Sequence, residues 1–409
     1  MKEKNNSYRS ILKGTSIFGG VQMVQILISL LRGKFVALLL GPAGMGVNAI
    51  FSSAHQTLGQ ISGLGLNLAI VKQIASASGE EDTEHLATTV AIARRLTTAT
   101  ALLGAIVCLL FAVPLSRLSF GSESYAWGFR LLSLAVFFSV AGAGMLSVLQ
   151  GLHCVKRLSK ASLAGGATAL FAGVPLYYFF GTSGIVPALV LMTFATYLFY
   201  RISTDRETRT YRRSVNLREH RPMVKSLILM GLILVAGDLA TTATTYAINL
   251  VVRNWGSLAD VGLFQGANSL TNQYAGVVFT AMMLDYFPRL AAAKESSREM
   301  RVIICRQTEI VALIATPLMS LLILSSPLVI RLLLSAEFAA IVPLMRWLGL
   351  GILVKALSYP LGWITFAKDN RRVFFWMEVV GANLLTLLLS IGCYMRFGLI
   401  RLGYALHAD

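Results

Sequence analysis

Gly41-Pro42-Ala43-Gly44-Met45-Gly46 separates two apolar runs, residues 14–40 and 45–70. Each run is longer than the roughly 20 residues that a helix needs to cross a bilayer. A near copy of that turn, Gly256-Ser257-Leu258-Ala259-Asp260-Val261-Gly262, separates runs at 226–252 and 261–287. Working outward with windows of about 19 residues, further spans fall at 87–113, 127–150, 161–180, 184–200, 307–333, 341–366 and 373–395. A last apolar start stands at 402–406. The reading is eleven helices and the beginning of a twelfth. Barrel strands would be about 10 residues long with strict alternation, and nothing here alternates for long.

Composition agrees. Of 409 residues, 56% are apolar and only 13% charged, with a mean hydropathy of +0.68. A soluble domain carries about a quarter charged residues. A disordered chain, a collagen, a disulfide scaffold and an ordinary soluble enzyme are excluded. Cys108, Cys154, Cys305 and Cys393 are scattered with no CxxC or metal spacing, so they read as free thiols. The basic N-terminus (Lys2, Lys4, Arg9, Lys13) could introduce a signal peptide, but the apolar run continues past Arg32 and Lys34 without a cleavage site. It reads as an uncleaved first span.

The formal charge of +17 suggests nucleic acid until the positions are read. With a cytoplasmic N-terminus, 24 of the 36 Lys and Arg fall in the tail and the even-numbered connections. The outer connections hold only Arg117, Arg253, Arg396 and Arg401. That bias is the positive-inside pattern, so nucleic acid is not an expected partner. One long polar stretch, 201–225, has eight basic and three acidic residues. It reads as a cytoplasmic linker between an N-lobe, 1–200, and a C-lobe, 226–409.

The lobes repeat. Gly41–Gly46 answers to Gly256–Gly262, and Val71–Ala75 to Phe287–Ala291. Pro114 answers to Pro327, and Lys156-Arg157 to Arg371-Arg372. All these offsets fall between 213 and 217 residues. Six helices per repeat, an even number, give both lobes the same orientation across the membrane, as in parallel-repeat transporters. Span 6 continues through Tyr200, so its partner should extend to about residue 417, whereas the chain stops at Asp409. Span 12 is therefore expected to be incomplete.

With these segments in hand, the chain resembles the multidrug/oligosaccharidyl-lipid/polysaccharide exporter superfamily, and within it the O-antigen and enterobacterial-common-antigen translocases. The likeness is carried by Leu31–Lys34, by Leu40–Val47, by Val261–Gly266 and by Leu332–Phe338. It implies an all-α integral membrane fold of two six-helix lobes around a central cavity lined by helices 1, 2, 7 and 8. It also implies a cargo: a lipid-linked oligosaccharide on undecaprenyl pyrophosphate, flipped to the periplasmic leaflet of a bacterial inner membrane. Membrane lipids, and polymerase and chain-length proteins of the same pathway, are the partners to expect. The nearest rival is an ion-coupled multidrug antiporter of the same superfamily; a membrane polymerase would need a long outer loop that this chain lacks.

Marks of catalysis are absent from the sequence. There is no GxxxxGK[ST] phosphate loop, and the five His are dispersed without an i, i+4 metal pair. No cofactor is expected. Charges inside spans are the default functional residues of a membrane protein. The basic set is Arg32 and Lys34 on span 1, Arg130 on span 4, and Arg346 and Lys355 on span 10. Such groups can replace the hydration that a pyrophosphate loses in a low-dielectric core. At the positions opposite Arg32 and Lys34, span 7 offers uncharged Ala247 and Asn249, so one lobe is expected to grip the head group. Asp238 is a carboxylate well inside a span and a candidate for coupling to a proton or Na⁺; Asp285, Glu309 and Glu378 lie nearer helix ends. His55 and Gln56, Asn249, and Gln265, Asn268 and Asn272 are candidate polar groups for sugar hydroxyls.

Overall fold

A computed structural model describes residues 2–79, 83–209, 219–293, 296–367 and 371–397. The start of span 12 at 402–406 and the middle of the 201–225 stretch lie outside the described residues. Every described element is helical. α1 (Lys2–Gly63) runs through Gly41, where φ 63° and ψ −172° interrupt the helix. Glycine takes that positive φ without a Cβ penalty. Pro42 then opens the second arm, where a missing N–H leaves no helical bond unmade. A second break at Leu64 (φ 47°) and Gly65 (φ 63°) separates α1 from α2, Leu66–Gly79.

The remaining long helices follow the predicted spans, and a short helix occupies the connection expected after span 3. α3 is Thr83–Leu110, α4 Ala112–Phe120, α5 Ala126–Gly151, α6 Val155–Phe180 and α7 Ile185–Glu207. α8 is Arg221–Trp255, α9 Leu258–Ala292, α10 Ser297–Leu333 and α11 Val342–Ala367. A short α12, Arg371–Phe374, leads through a π-helical segment, Phe375–Ala382, into α13, Asn383–Phe397. Eight stretches among the described residues are long and apolar enough to cross a membrane. Two of them are double: Met23–Gly63 contains both arms of α1, and Val155–Glu207 contains α6 and α7. The chain is an all-helical, multi-pass membrane protein.

The helices gather into two compact units that interleave along the chain: Met1–Arg32 with Phe51–Leu239, and Gly33–Ile50 with Ala240–Asp409. In the first unit, Leu66, Ile70 and Ile74 of α2 pack with Val90 and Ala93 of α3, Val148 of α5 and Leu227 of α8. Close crossings use small residues, as membrane helices must when lipid supplies no hydrophobic drive. A Cβ on Gly144 would meet the Thr97 side chain at 2.5 Å. A Cβ on Gly231 of α8 would stand 2.4 Å from the Leu64 carbonyl oxygen. These contacts tie the start of α8 to the first unit.

In the second unit the two turns of the repeat meet each other. A Cβ on Gly46 would lie 1.8 Å from the Leu258 carbonyl oxygen, and one on Gly262 would lie 1.8 Å from that of Pro42. Leu258 lies 216 residues after Pro42 and Gly262 lies 216 after Gly46, so each pairing is the repeat's copy of the other and the contact is reciprocal about a local twofold. It exists because both positions lack a side chain. Tyr286 of α9 donates to the Pro360 carbonyl at 2.6 Å, and Val311, Ala315 and Ala356 form a core between α10 and α11.

Candidate functional site

Arg32 and Lys34 are two residues apart on one α-helix, so their side chains leave it about 200° apart. Both are half-buried. Arg32 turns into the first unit, where Nη1 donates to the Met192 sulfur of α7 at 2.7 Å and the charge acts on the Tyr177 hydroxyl of α6. A thioether is a weak acceptor and supplies no compensating charge. Lys34 falls on the opposite side of α1, in the same helical stripe as Leu27, Leu31 and Leu38, which are 58%, 48% and 52% exposed. Spacings of seven, three and four residues put all four on one face.

The other basic candidates are not drawn into that region. Arg130 is exposed, with its guanidinium 5.9 Å from the centre of the Trp127 ring, itself exposed. Arg and Trp together at a helix end make an interfacial anchor. Arg346 is exposed at the start of α11, and its Nε donates to Ser326 Oγ at 3.3 Å. Lys355 is exposed in the middle of α11. The described ion pairs join Arg94 and Arg201 to Asp205, Arg117 to Glu123 and Arg157 to Glu207; none uses a predicted basic site residue.

The polar candidates form stripes. Gln265, Asn268 and Asn272 share one face of α9, and Asn272 Nδ2 donates to Asn268 Oδ1 at 2.7 Å. On α8, Asp238, Thr242, Thr245 and Asn249 fall three or four residues apart. Asn249 is fully buried, whereas Asp238 is exposed rather than enclosed. On α1, His55 is half-buried with no hydrogen-bond partner for Nδ1, and Gln56 is exposed. The side chains of Asp285 and Glu378 lie outside the described residues, and Glu309 is exposed on α10. No group of three metal-ligating side chains occurs among the described residues.

One cavity of the first unit lies where no site was expected, between α3 and α7 beside Arg94, Arg95 and Arg201. The sequence carries its signal: arginines at matching ends of two uncharged runs, 96–113 and 184–200.

With this geometry in view, comparison with known proteins gives a consistent picture. Residues 35–343 match the family described as polysaccharide biosynthesis protein. The chain is similar over 386 residues to the lipid III flippase of Escherichia coli (strain K12), with 24% identity, covering 92% of this chain and 90% of that protein. Its fold matches an inward-facing multidrug resistance MATE family transporter of the MOP superfamily, TM-score 0.76 at 19% identity, over 95% and 93% of the two chains. It also matches lipid II flippase MurJ in an inward closed conformation, TM-score 0.71 at 14% identity, over 97% and 84%. The two-lobe helical transporter fold follows from these matches.

Proposed function

The chain belongs to the polysaccharide biosynthesis protein family, and from that premise we propose that it flips an undecaprenyl-pyrophosphate-linked oligosaccharide across a bacterial inner membrane. The cargo is an O-antigen unit or a related surface-polysaccharide repeat, moved from the cytoplasmic to the periplasmic leaflet by alternating access. The observation that carries the reading is the end-to-end likeness to a lipid III flippase. Transport, rather than bond chemistry, is the activity.

The stripe around Lys34 supports this cargo class. A prenyl pyrophosphate is a greasy chain joined to about two negative charges. Lys34 sets an ammonium among exposed Leu27, Leu31 and Leu38, offering both chemistries on one helix face. A charged group within a span is tolerable only where it meets water or an opposite charge. Lys34 is therefore the primary contact for the head group. Arg32, held by a thioether, adds positive potential from the far side of α1, and Lys355 is a further candidate contact. The stripes of α8 and α9 would meet sugar hydroxyls, and Asp238 is the candidate for ion coupling.

Rescue of surface polysaccharide in a strain lacking its own translocase tests the reading. Restored polysaccharide supports it. Raised tolerance to cationic drugs without polysaccharide would favour the multidrug antiporter instead.

A further inference from the structure

Arg94, Arg95 and Arg201 stand where two uncharged runs stop. On α3 the run 96–113 begins just after the arginine pair, and on α7 the run 184–200 ends just before Arg201. Helices crossing a bilayer meet the lipid headgroups at such boundaries. Three guanidiniums thus share headgroup depth on the face that the Lys/Arg bias assigns to the cytoplasm.

These groups rim a cavity of about 470 Å³ within the first unit. Its lining is the three arginines, Thr98, Ala99 and Leu102 of α3, Met145 of α5 and Tyr197 of α7. Arg94 and Arg201 have partners beside the cavity. Asp205 accepts from Arg94 Nη2 at 2.5 Å and lies 3.9 Å from Arg201 Nε. Arg201 Nη1 donates to the Tyr197 hydroxyl at 3.0 Å. Asp205 thus faces two of the three guanidiniums. Further along the same two helices, Leu103 and Ile106 of α3 and Phe194 and Leu198 of α7 are uncovered, an apolar surface on the side away from the arginines.

Arginines at headgroup depth beside an apolar helix surface match the chemistry of an anionic lipid. We propose that this cavity binds an anionic phospholipid, its phosphate on Arg94, Arg95 and Arg201 and its acyl chains along α3 and α7. Basic pockets between membrane helices on this side bind such headgroups in general. The site is separate from the α1 face assigned to cargo, and it requires only that the chain spans a membrane.

The full chain in neutral detergent, titrated with phosphatidylglycerol or phosphatidylcholine, tests this by native mass spectrometry of bound lipid. Phosphatidylglycerol is expected to be retained in preference, and the preference to fade in high salt. The R95Q/R201Q double variant should weaken phosphatidylglycerol binding about twentyfold, since each basic group near the surface contributes severalfold. Asp205→Asn, which releases two guanidiniums from a competing carboxylate, should strengthen it; Arg117→Gln, at the opposite end of the unit, should leave it unchanged. Should R95Q/R201Q fold poorly, Arg95→Gln alone gives a smaller loss of the same sign. Equal retention of both lipids, or wild-type binding by R95Q/R201Q or Arg95→Gln, overturns the proposal. So does inorganic phosphate in phosphatidylcholine micelles if it competes as well as the lipid, because the site would then read a free anion.

Discussion

Replacing Lys34 by alanine removes the charge from a stripe otherwise made of Leu27, Leu31 and Leu38. A charge-assisted contact to phosphate is worth enough that transport should fall about tenfold or more. Lys34→Arg, which keeps the charge, should retain most of it, and the melting temperature of either variant should stay near that of the parent. A flipping rate in Lys34→Ala equal to the parent's removes this residue from the mechanism. Thiol chemistry gives a second expectation. Burial and the nearby Glu207 carboxylate push the Cys154 thiol up to about 11, so at pH 8 only about one thiol in a thousand is thiolate. Cys305 is exposed. Maleimide at pH 8 should label Cys305 well before Cys154, with Cys154 catching up only as the pH nears its raised value. At this scale the sequence showed which charges lie within spans, because hydropathy reports depth. It could not say which face they occupy: Arg130, read as a charge within a span, stands in the first turns of α5 with its guanidinium against the exposed Trp127 ring.

At the scale of elements, the Gly-Pro turn was legible because only glycine takes φ 63° freely and proline then starts a helix. The break at Leu64-Gly65 was not legible. Nothing local in an apolar run demands it; Gly65 sits against the α8 backbone at Gly231, a partner more than 160 residues away. The interleaving of α1 and α8 between units was hidden for the same reason, since packing partners are not written in periodicity. The reciprocal contact of Gly46 and Gly262 gives a sharp test. A methyl group at either position would press on a backbone carbonyl oxygen, and over-packing of that kind costs about 1–3 kcal/mol. Gly46→Ala and Gly262→Ala should each lower the melting temperature in detergent. Gly33→Ala meets nothing within 4 Å and gains about 0.5–1 kcal/mol of helix propensity. Equal melting temperatures for Gly33→Ala and Gly46→Ala would show that the close approach is not kept in the protein.

Across the whole molecule, the Lys/Arg bias sets an orientation that the fold alone leaves open. The loop at 152–154, between α5 and α6, should lie on the cytoplasmic side, and the loop at 121–125, between α4 and α5, on the outer side. Single cysteines at Ser122 and His153, in a background without native cysteines, should react oppositely with an impermeant reagent applied to intact cells. Labelling of His153→Cys but not Ser122→Cys from outside inverts the topology. The repeat, the two lobes and the family likeness were readable at this scale, because a 216-residue period survives in the turns even where the helices between them have diverged. The proposed cargo is tested by moving it. Vesicles containing the purified chain and an undecaprenyl-pyrophosphate oligosaccharide, probed with an impermeant glycosidase, report flipping directly. The account predicts that the protected inner pool becomes cleavable with time and that Lys34→Ala slows this. An inner pool as protected as in protein-free vesicles would contradict it.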